Sequence, residues 1–368
     1  MDCDFESIVR QFQTEGELLD VSPITAGHIN DTFVMATGGE RRTRYVLQRI
    51  NHAVFTDPPG MMDNLVRITE HVRAKAERTR PDAASRQLRL IGTHDGRGYH
   101  KDSQGHFWRL YNFIEGAVTH DVPPSGDVAY EAARTFGWFQ RALLDLPGPP
   151  LHETIPGFHD TPQRLAVFQD VLRADTHNRA GLARPEIEFL LENAALCSVL
   201  PRLIEDSTIP IRVAHNDAKI NNVMLDKNSG DGICVIDLDT VMPGLSIYDF
   251  GDLVRTATCP AAEDERDLSK VAIDLAMYDA LVRGFVSEAR HFLTTAEREH
   301  LAFAGKLITF EQFVRFLTDY LAGDVYYKVH REGHNLDRSR TQMKLLQSIL
   351  EKEEAMNEIV NRALQDTE

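Results

Sequence analysis

Apolar residues recur along the first fifty positions in two rhythms. Phe5, Ile8, Val9 and Phe12 share one helical face and predict a short leading helix. Residues 18–24, 31–37 and 44–50 read as strands, with Gly38-Gly39 as a hairpin turn between the last two. Asp57-Pro58-Pro59-Gly60 is expected to halt regular structure. Met62, Leu65, Ile68 and Val72 then predict a helix over 61–78, which Pro81 ends. Two more strands are expected at 87–93 and 107–114, around an Asp95-Gly96-Arg97-Gly98 turn with a short strand at Tyr99.

From about residue 127 the pattern becomes helical. Helices are predicted over 129–144, 162–172 and 185–203, then short strands within 211–239, then helices to the end. The composition break near Glu115-Gly116 divides the chain into a sheet-rich part, 1–115, and a larger, mainly helical part, 116–368. The fold class expected is α+β, and no repeat of solenoid period is present.

Composition narrows the function classes. At 368 residues, 42% hydrophobic and 26% charged, the chain has the makeup of a folded protein of two domains. Its 40 basic and 56 acidic residues give a net charge of −16 with no basic patch, which disfavours nucleic acid and anionic membrane as partners. An acidic excess suits solubility or a cationic substrate. Cys3, Cys197, Cys234 and Cys259 are far apart, so reduced thiols are expected rather than a zinc site or a disulfide framework. The acidic start, Met1 to Glu6, is unlike a secretory signal, and no apolar run is long enough to span a bilayer. A cytoplasmic location is expected.

The chemistry concentrates after residue 211. An apolar strand leads into His215-Asn216-Asp217, followed by Lys219, Asn222 and apolar Val223-Met224-Leu225. A second short strand, Ile233-Cys234-Val235-Ile236, runs to Asp237 and Asp239. Phosphoryl transfer from ATP needs hard oxygen ligands for Mg²⁺ and a carboxylate to orient the attacking hydroxyl and take its proton. Asp217 is the candidate base, Lys219 the cation for the transferring phosphate, and Asn222 and Asp237 the metal ligands. Asp239 is placed by strand alternation as a further metal or substrate ligand. His215 reads as a loop scaffold. The spacing follows the kinase catalytic loop H-R-D-x-K-x-x-N, and its apolar flanks and the later V-I-D raise its specificity. Asp249-Phe250-Gly251 spells the kinase metal triplet but lacks its strand context, so Asp249 reads as a cap or a brace.

These motifs resemble the aminoglycoside phosphotransferase and choline kinase superfamily, and within it the bacterial N-acetylhexosamine 1-kinases. The likeness is carried by residues 27–32, 45–51, 215–222, 235–244 and 315–338. It implies a two-lobed protein-kinase-like fold, with a nucleotide-binding N-lobe at 1–115 and a C-lobe at 116–368 holding the catalytic loop and substrate pocket. It implies ATP and Mg²⁺ as cofactors and phosphorylation of the anomeric hydroxyl of a sugar such as N-acetylglucosamine or N-acetylgalactosamine. Arg315 and Tyr326 would hold the sugar, with His28 and Ile29 approaching it.

The N-lobe departs from protein kinases. The loop at Gly27 has one glycine instead of G-x-G-x-x-G, and Gln48, next to Arg49, stands where a strand lysine is expected. Gly27, Gln48 and Arg49 are candidate nucleotide-binding residues, with Arg49 facing opposite to Gln48. Glu70 reads as a solvated helix residue. Asn112 to Gly116 is the expected hinge, where Phe113 and Ile114 would meet the adenine. Alternatives are an aminoglycoside, homoserine or choline kinase, or a pseudokinase scaffold.

Overall fold

The Asp4 carboxylate accepts from the Ser7 N–H and starts helix α1, Phe5–Val9, whose Ile8 and Val9 turn inward. The structure, a computed structural model, describes residues 4–24, 29–39 and 41–365. These cluster into two compact units. The first runs through Ala117 and takes in Ala142–Pro156 and Ile233–Pro243; the second comprises Val118–Arg141, Gly157–Gly232 and the chain from Gly244 onward.

In the first unit, strands β1 (Glu17–Ile24), β2 (Asp31–Gly38), β3 (Arg42–Ile50), β4 (His100–Lys101) and β5 (Phe107–Asn112) form an antiparallel sheet in the order β1-β2-β3-β5-β4. Alternation places Met35, Tyr45, Leu47, Trp108 and Leu110 on one face, where they pack with Ile8, Val9, Phe12 and Ile91. Register puts Gln48 opposite Thr32 on one side and Arg109 on the other.

Three expectations fail for local reasons. Asp57-Pro58 opens the long helix α2, Pro58–Thr79, instead of halting structure: Asp57 caps the Gly60 N–H and Pro58 takes the first turn, where its missing N–H costs nothing. Residues 87–93 form no strand but two isolated bridges, at Leu90 and Thr93; the Arg89 N–H goes to the Asn112 side chain and the Thr93 N–H to the Arg97 carbonyl instead of to a ladder. The helix expected over 185–203 breaks into Arg184–Glu192, a 3₁₀ turn at Ala194–Ser198, and Val199–Glu205. At the first break the Asn193 side chain turns back to donate to the Phe189 carbonyl.

The second unit is mainly helical. Helix Leu301–Leu321 is buried along most of its length and is central to the core, with Phe310, Phe313, Val314 and Leu317 packed against Phe168, Leu190 and Leu346. Helix Ser246–Ala257 runs against it, and Gly251 permits the close approach: a Cβ there would sit 2.5 Å from the Ala304 carbonyl oxygen. The glycine of the Asp249-Phe250-Gly251 triplet therefore serves helix packing. Among the described residues no helix is long and apolar enough to cross a membrane.

Candidate active site

The loop expected to be catalytic, His215 to Asn222, leaves the short strand Arg212–Ala214. His215 is buried edge-on to Phe136, with ring centroids 5.4 Å apart, and its Nδ1 accepts the Asp217 N–H at 3.3 Å. Asp249, wholly buried, accepts from the His215 N–H at 2.9 Å, the Asn216 N–H at 2.8 Å and the Gln140 amide at 2.6 Å. Burial pushes the Asp249 carboxyl up, against the pull of His215 and these donors. Its position in the first turn of a helix, holding the backbone of His215 and Asn216, is that of a brace.

Asp217 and Lys219 form an ion pair of 2.8 Å. Burial alone would raise the Asp217 pKa; the Lys219 ammonium, by its charge and its hydrogen bond, and the Arg255 charge outweigh it and hold the carboxyl below its usual value. Asp217 is thus ionised near neutrality, as a proton acceptor must be. The Asn222 amide nitrogen donates to the Asp217 carbonyl at 2.8 Å, which leaves the Asn222 side-chain oxygen to act as a hard ligand.

The same unit holds Arg315, whose side chain is 13% exposed. Its guanidinium lies 5.3 Å from the Phe158 ring centroid and 5.8 Å from that of Tyr327. Among the described residues none accepts a hydrogen bond from it, and Glu311, at 4.0 Å, is occupied by His159 at 3.0 Å and Thr161 at 2.7 Å. Burial by itself would lower the Arg315 pKa; Tyr327, Glu311 and, at longer range, Asp217 keep it cationic. Tyr326 is exposed, and its N–H is one of three backbone groups, with those of Val325 and Tyr327, given to Asp319.

In the first unit, Asp237 follows the strand Gly232–Val235 and has φ of 60°, a left-handed conformation that Asp tolerates better than most residues. Residues Leu238–Thr240 then form a 3₁₀ turn, so strand alternation does not relate Asp239 to Asp237. Asp239 is buried; Arg109 engages both its oxygens, and Asn30 donates to Oδ2 at 2.7 Å. Arg109 also donates to the Gln48 side-chain oxygen at 2.9 and 2.7 Å. The position expected for a strand lysine is therefore served by a neutral acceptor for a buried arginine one strand over. Sequence reasoning missed Arg109; the signal was an arginine within the apolar run Phe107–Tyr111.

A pattern for the phosphotransferase enzyme family (APH) matches residues 20–281. The chain belongs to this family. Solved structures agree on the fold. An aminoglycoside phosphotransferase from Alicyclobacillus acidocaldarius is similar over 98% of this chain and 96% of its own, with TM-score 0.62 and 12% identity. A microcompartment-associated aminopropanol kinase is similar over 96% of this chain and 98% of its own, with TM-score 0.63 and 15% identity. An amicoumacin kinase in complex with AMP-PNP, Ca²⁺ and Ami covers 90% of this chain and 88% of its own, with TM-score 0.54 and 11% identity. The phosphotransferase thus has the mixed, kinase-like fold of these neighbours, sheet first and helices after.

The remaining expected site residues are placed as follows. Gly27 and His28 lie outside the described residues, and Ile29 is exposed. Arg49 faces away from Gln48 and pairs with Asp31 at 2.9 Å. Phe113 donates its N–H to the Arg44 carbonyl and carries the Arg44 guanidinium 3.9 Å from its ring centroid; Ile114 is buried. Glu70 is exposed to solvent.

Asp249→Asn is expected to destabilise the phosphotransferase by about 1–3 kcal/mol, because an amide N–H₂ replaces an acceptor facing buried donors. Urea denaturation measures this. Loss of divalent-cation dependence without loss of stability would instead make Asp249 a metal ligand.

Proposed function

We propose that this phosphotransferase transfers the γ-phosphoryl group of ATP to the anomeric hydroxyl of an N-acetylhexosamine. The observation that carries the sugar reading is Arg315: a largely buried guanidinium beside two aromatic rings, with no hydrogen bond accepted from it among the described residues, within electrostatic reach of Asp217. Arg164, 3.9 Å from Glu311, adds a second guanidinium to the same cluster. Two guanidinium groups beside one carboxylate disfavour a cationic acceptor such as an aminoglycoside or choline. They suit the neutral, acceptor-rich hydroxyl and acetamide groups of an N-acetylated sugar.

In this reading Asp217 takes the proton from the acceptor hydroxyl as its oxygen bonds to the γ-phosphorus and the bond to the β–γ bridging oxygen breaks, releasing ADP. Lys219 holds Asp217 ionised and offers its remaining N–H donors to the phosphoryl oxygens. Mg²⁺, when bound, supplies charge neutralisation of the phosphates. Asn222 and Asp237 have the hard oxygens to hold it. Soluble cytoplasmic work fits the composition.

The test is incubation with Mg-ATP and separate pools of N-acetylhexosamines, plain hexoses and aminoglycosides, with phosphorus NMR of the product. A sugar 1-phosphate is expected; phosphate on an amino-sugar 3-hydroxyl would overturn the reading. Arg315→Ala is expected to raise the KM for the sugar at least about tenfold, as loss of a charge-assisted hydrogen bond of about 1.5–3 kcal/mol requires. The KM for Mg-ATP should stay unchanged, and an equal rise in both would argue against a sugar contact.

A further inference from the structure

Asn216, immediately before Asp217, has φ of 65°, a left-handed conformation that Asn tolerates better than most residues but that its surroundings must still select. Something must hold it there. Asp249 takes its N–H on one side, and His159 takes its carbonyl on the other, Nε2 to oxygen 2.8 Å. The opposite ring nitrogen of His159, Nδ1, lies 3.0 Å from Glu311 Oε1.

We propose that His159 is a positioning residue for phosphoryl transfer: a doubly protonated imidazolium that ties the Asn216 carbonyl to Glu311, fixing the base-bearing loop relative to Arg315. The inference rests on the phosphotransfer reading but not on the identity of the acceptor.

The geometry requires two protons. A backbone carbonyl and a carboxylate only accept, so each ring nitrogen must donate, and a neutral imidazole would aim a lone pair at one of them. The ring is 9% exposed, packed 4.7 Å from the Tyr248 ring and 4.9 Å, nearly perpendicular, from that of Phe158. The charged and titratable groups around it come from three helices. Glu311 and Arg315 lie on Leu301–Leu321, Arg164 on Thr161–Ala174, and Asp252 and Tyr248 on Ser246–Ala257. Burial alone would lower the His159 pKa; Glu311, the Asn216 carbonyl and Asp252 outweigh it, and the net shift is upward. The sign follows. With a folded pKa above the unfolded value, the tie is fully present below the unfolded pKa of about 6.5 and is lost as pH rises through the folded pKa.

Glu311 is shared between this tie and Arg315. Through it, a ligand seated on Arg315 and the carbonyl next to Asp217 are linked by two side chains. Two further features of the tie make it more than packing: it is directional, and it depends on charge.

Two measurements test the proposal. In wild-type protein, long-range nitrogen–proton NMR of His159, assigned from its backbone, should show both ring nitrogens protonated at pH 7.5. A neutral tautomer there overturns the proposal whatever the enzyme phosphorylates. His159→Gln is the kinetic arm, with N-acetylglucosamine and Mg-ATP as substrates. It should lower kcat roughly 100-fold, the scale of a small misplacement of a catalytic group, with the KM for Mg-ATP unchanged and circular dichroism like wild type. Adding Glu311→Gln, whose amide donates to the side-chain oxygen introduced at position 159, should restore part of kcat. A His159→Gln kcat within about threefold of wild type overturns the proposal, since it is far below the cost of misplacement. If wild-type enzyme turns over no sugar, the sugar reading alone fails, and the NMR result decides this one.

Discussion

Asp217→Asn is expected to lower kcat by roughly 10³-fold, within the range that general-base groups contribute to proton transfer. The replacement is nearly isosteric, and the Asn side-chain oxygen still accepts from Lys219, which now lies 2.8 Å from Asp217. What disappears is the proton acceptor. Because Lys219 is about one-third exposed, with 36% of its side chain accessible, losing the ion pair costs little stability. Thermal denaturation should therefore move by only a few degrees while turnover collapses. The KM for Mg-ATP should hold, since Asn222 remains anchored on the unaltered Asp217 backbone carbonyl. The pH dependence has a definite sign. The Asp217 pKa is depressed, so the base is lost only as pH falls below the ordinary carboxylate range of about 4, and wild type should show no loss from this group at neutrality. Retention of more than a tenth of wild-type kcat in the Asn variant would remove Asp217 from the role of base.

Local chemistry made part of this molecule legible and distance hid the rest. The strand β3 follows from alternation, because Tyr45 and Leu47 share the face that packs with Ile8, Val9 and Phe12. The loop from His215 to Asn222 follows from spacing, since the side chains of Asp217, Lys219 and Asn222 lie within six residues and the bonds that join them are local. By contrast, the Arg109–Asp239 pair joins positions 130 apart, and His159–Glu311 joins positions 152 apart. Each partner alone looks like an ordinary charged or polar residue. Asp57-Pro58-Pro59-Gly60 misled because proline breaks a helix interior but favours a helix start, and only the capping bond from Asp57 distinguishes the two. Asp239 misled because the extended pattern ends at Val235, and a left-handed residue followed by a 3₁₀ turn erases the twofold rhythm. The stretches 27–32 and 45–51 carry part of the family likeness, and their described polar residues have a structural reason. Here Asn30 bridges Asp239 to the Asn51 N–H, and Thr32 accepts from Gln48, the arginine's partner, so the pattern is the shell around one buried ion pair.

That pair carries the second large effect. Arg109→Met and Asp239→Asn should each destabilise the protein by about 3–5 kcal/mol, because each strands a charge or breaks its hydrogen bonds in the interior. The side chains are 1% and 2% exposed, so solvent cannot take the place of the missing partner. Arg109→Met leaves Asp239 with Asn30 as its remaining side-chain donor among the described residues; Asp239→Asn leaves the guanidinium facing Gln48 and one amide oxygen. The double variant Arg109→Met/Asp239→Leu removes both charges and should be more stable than the sum of the two single losses by at least about 2 kcal/mol, which urea denaturation of the four proteins measures as a coupling energy. Activity should suffer beyond stability. The turn that Arg109 grips begins one residue after Asp237, whose own backbone is left-handed, so loosening that turn is expected to disturb it. Thr154 supports the same turn by donating to the Asp239 carbonyl at 2.7 Å. The double variant, though partly restored in stability, should still require more Mg²⁺ for half-maximal turnover than wild type. If it matches wild type in Mg²⁺ dependence while the single variants are unstable, the pair serves folding alone and has no part in placing Asp237.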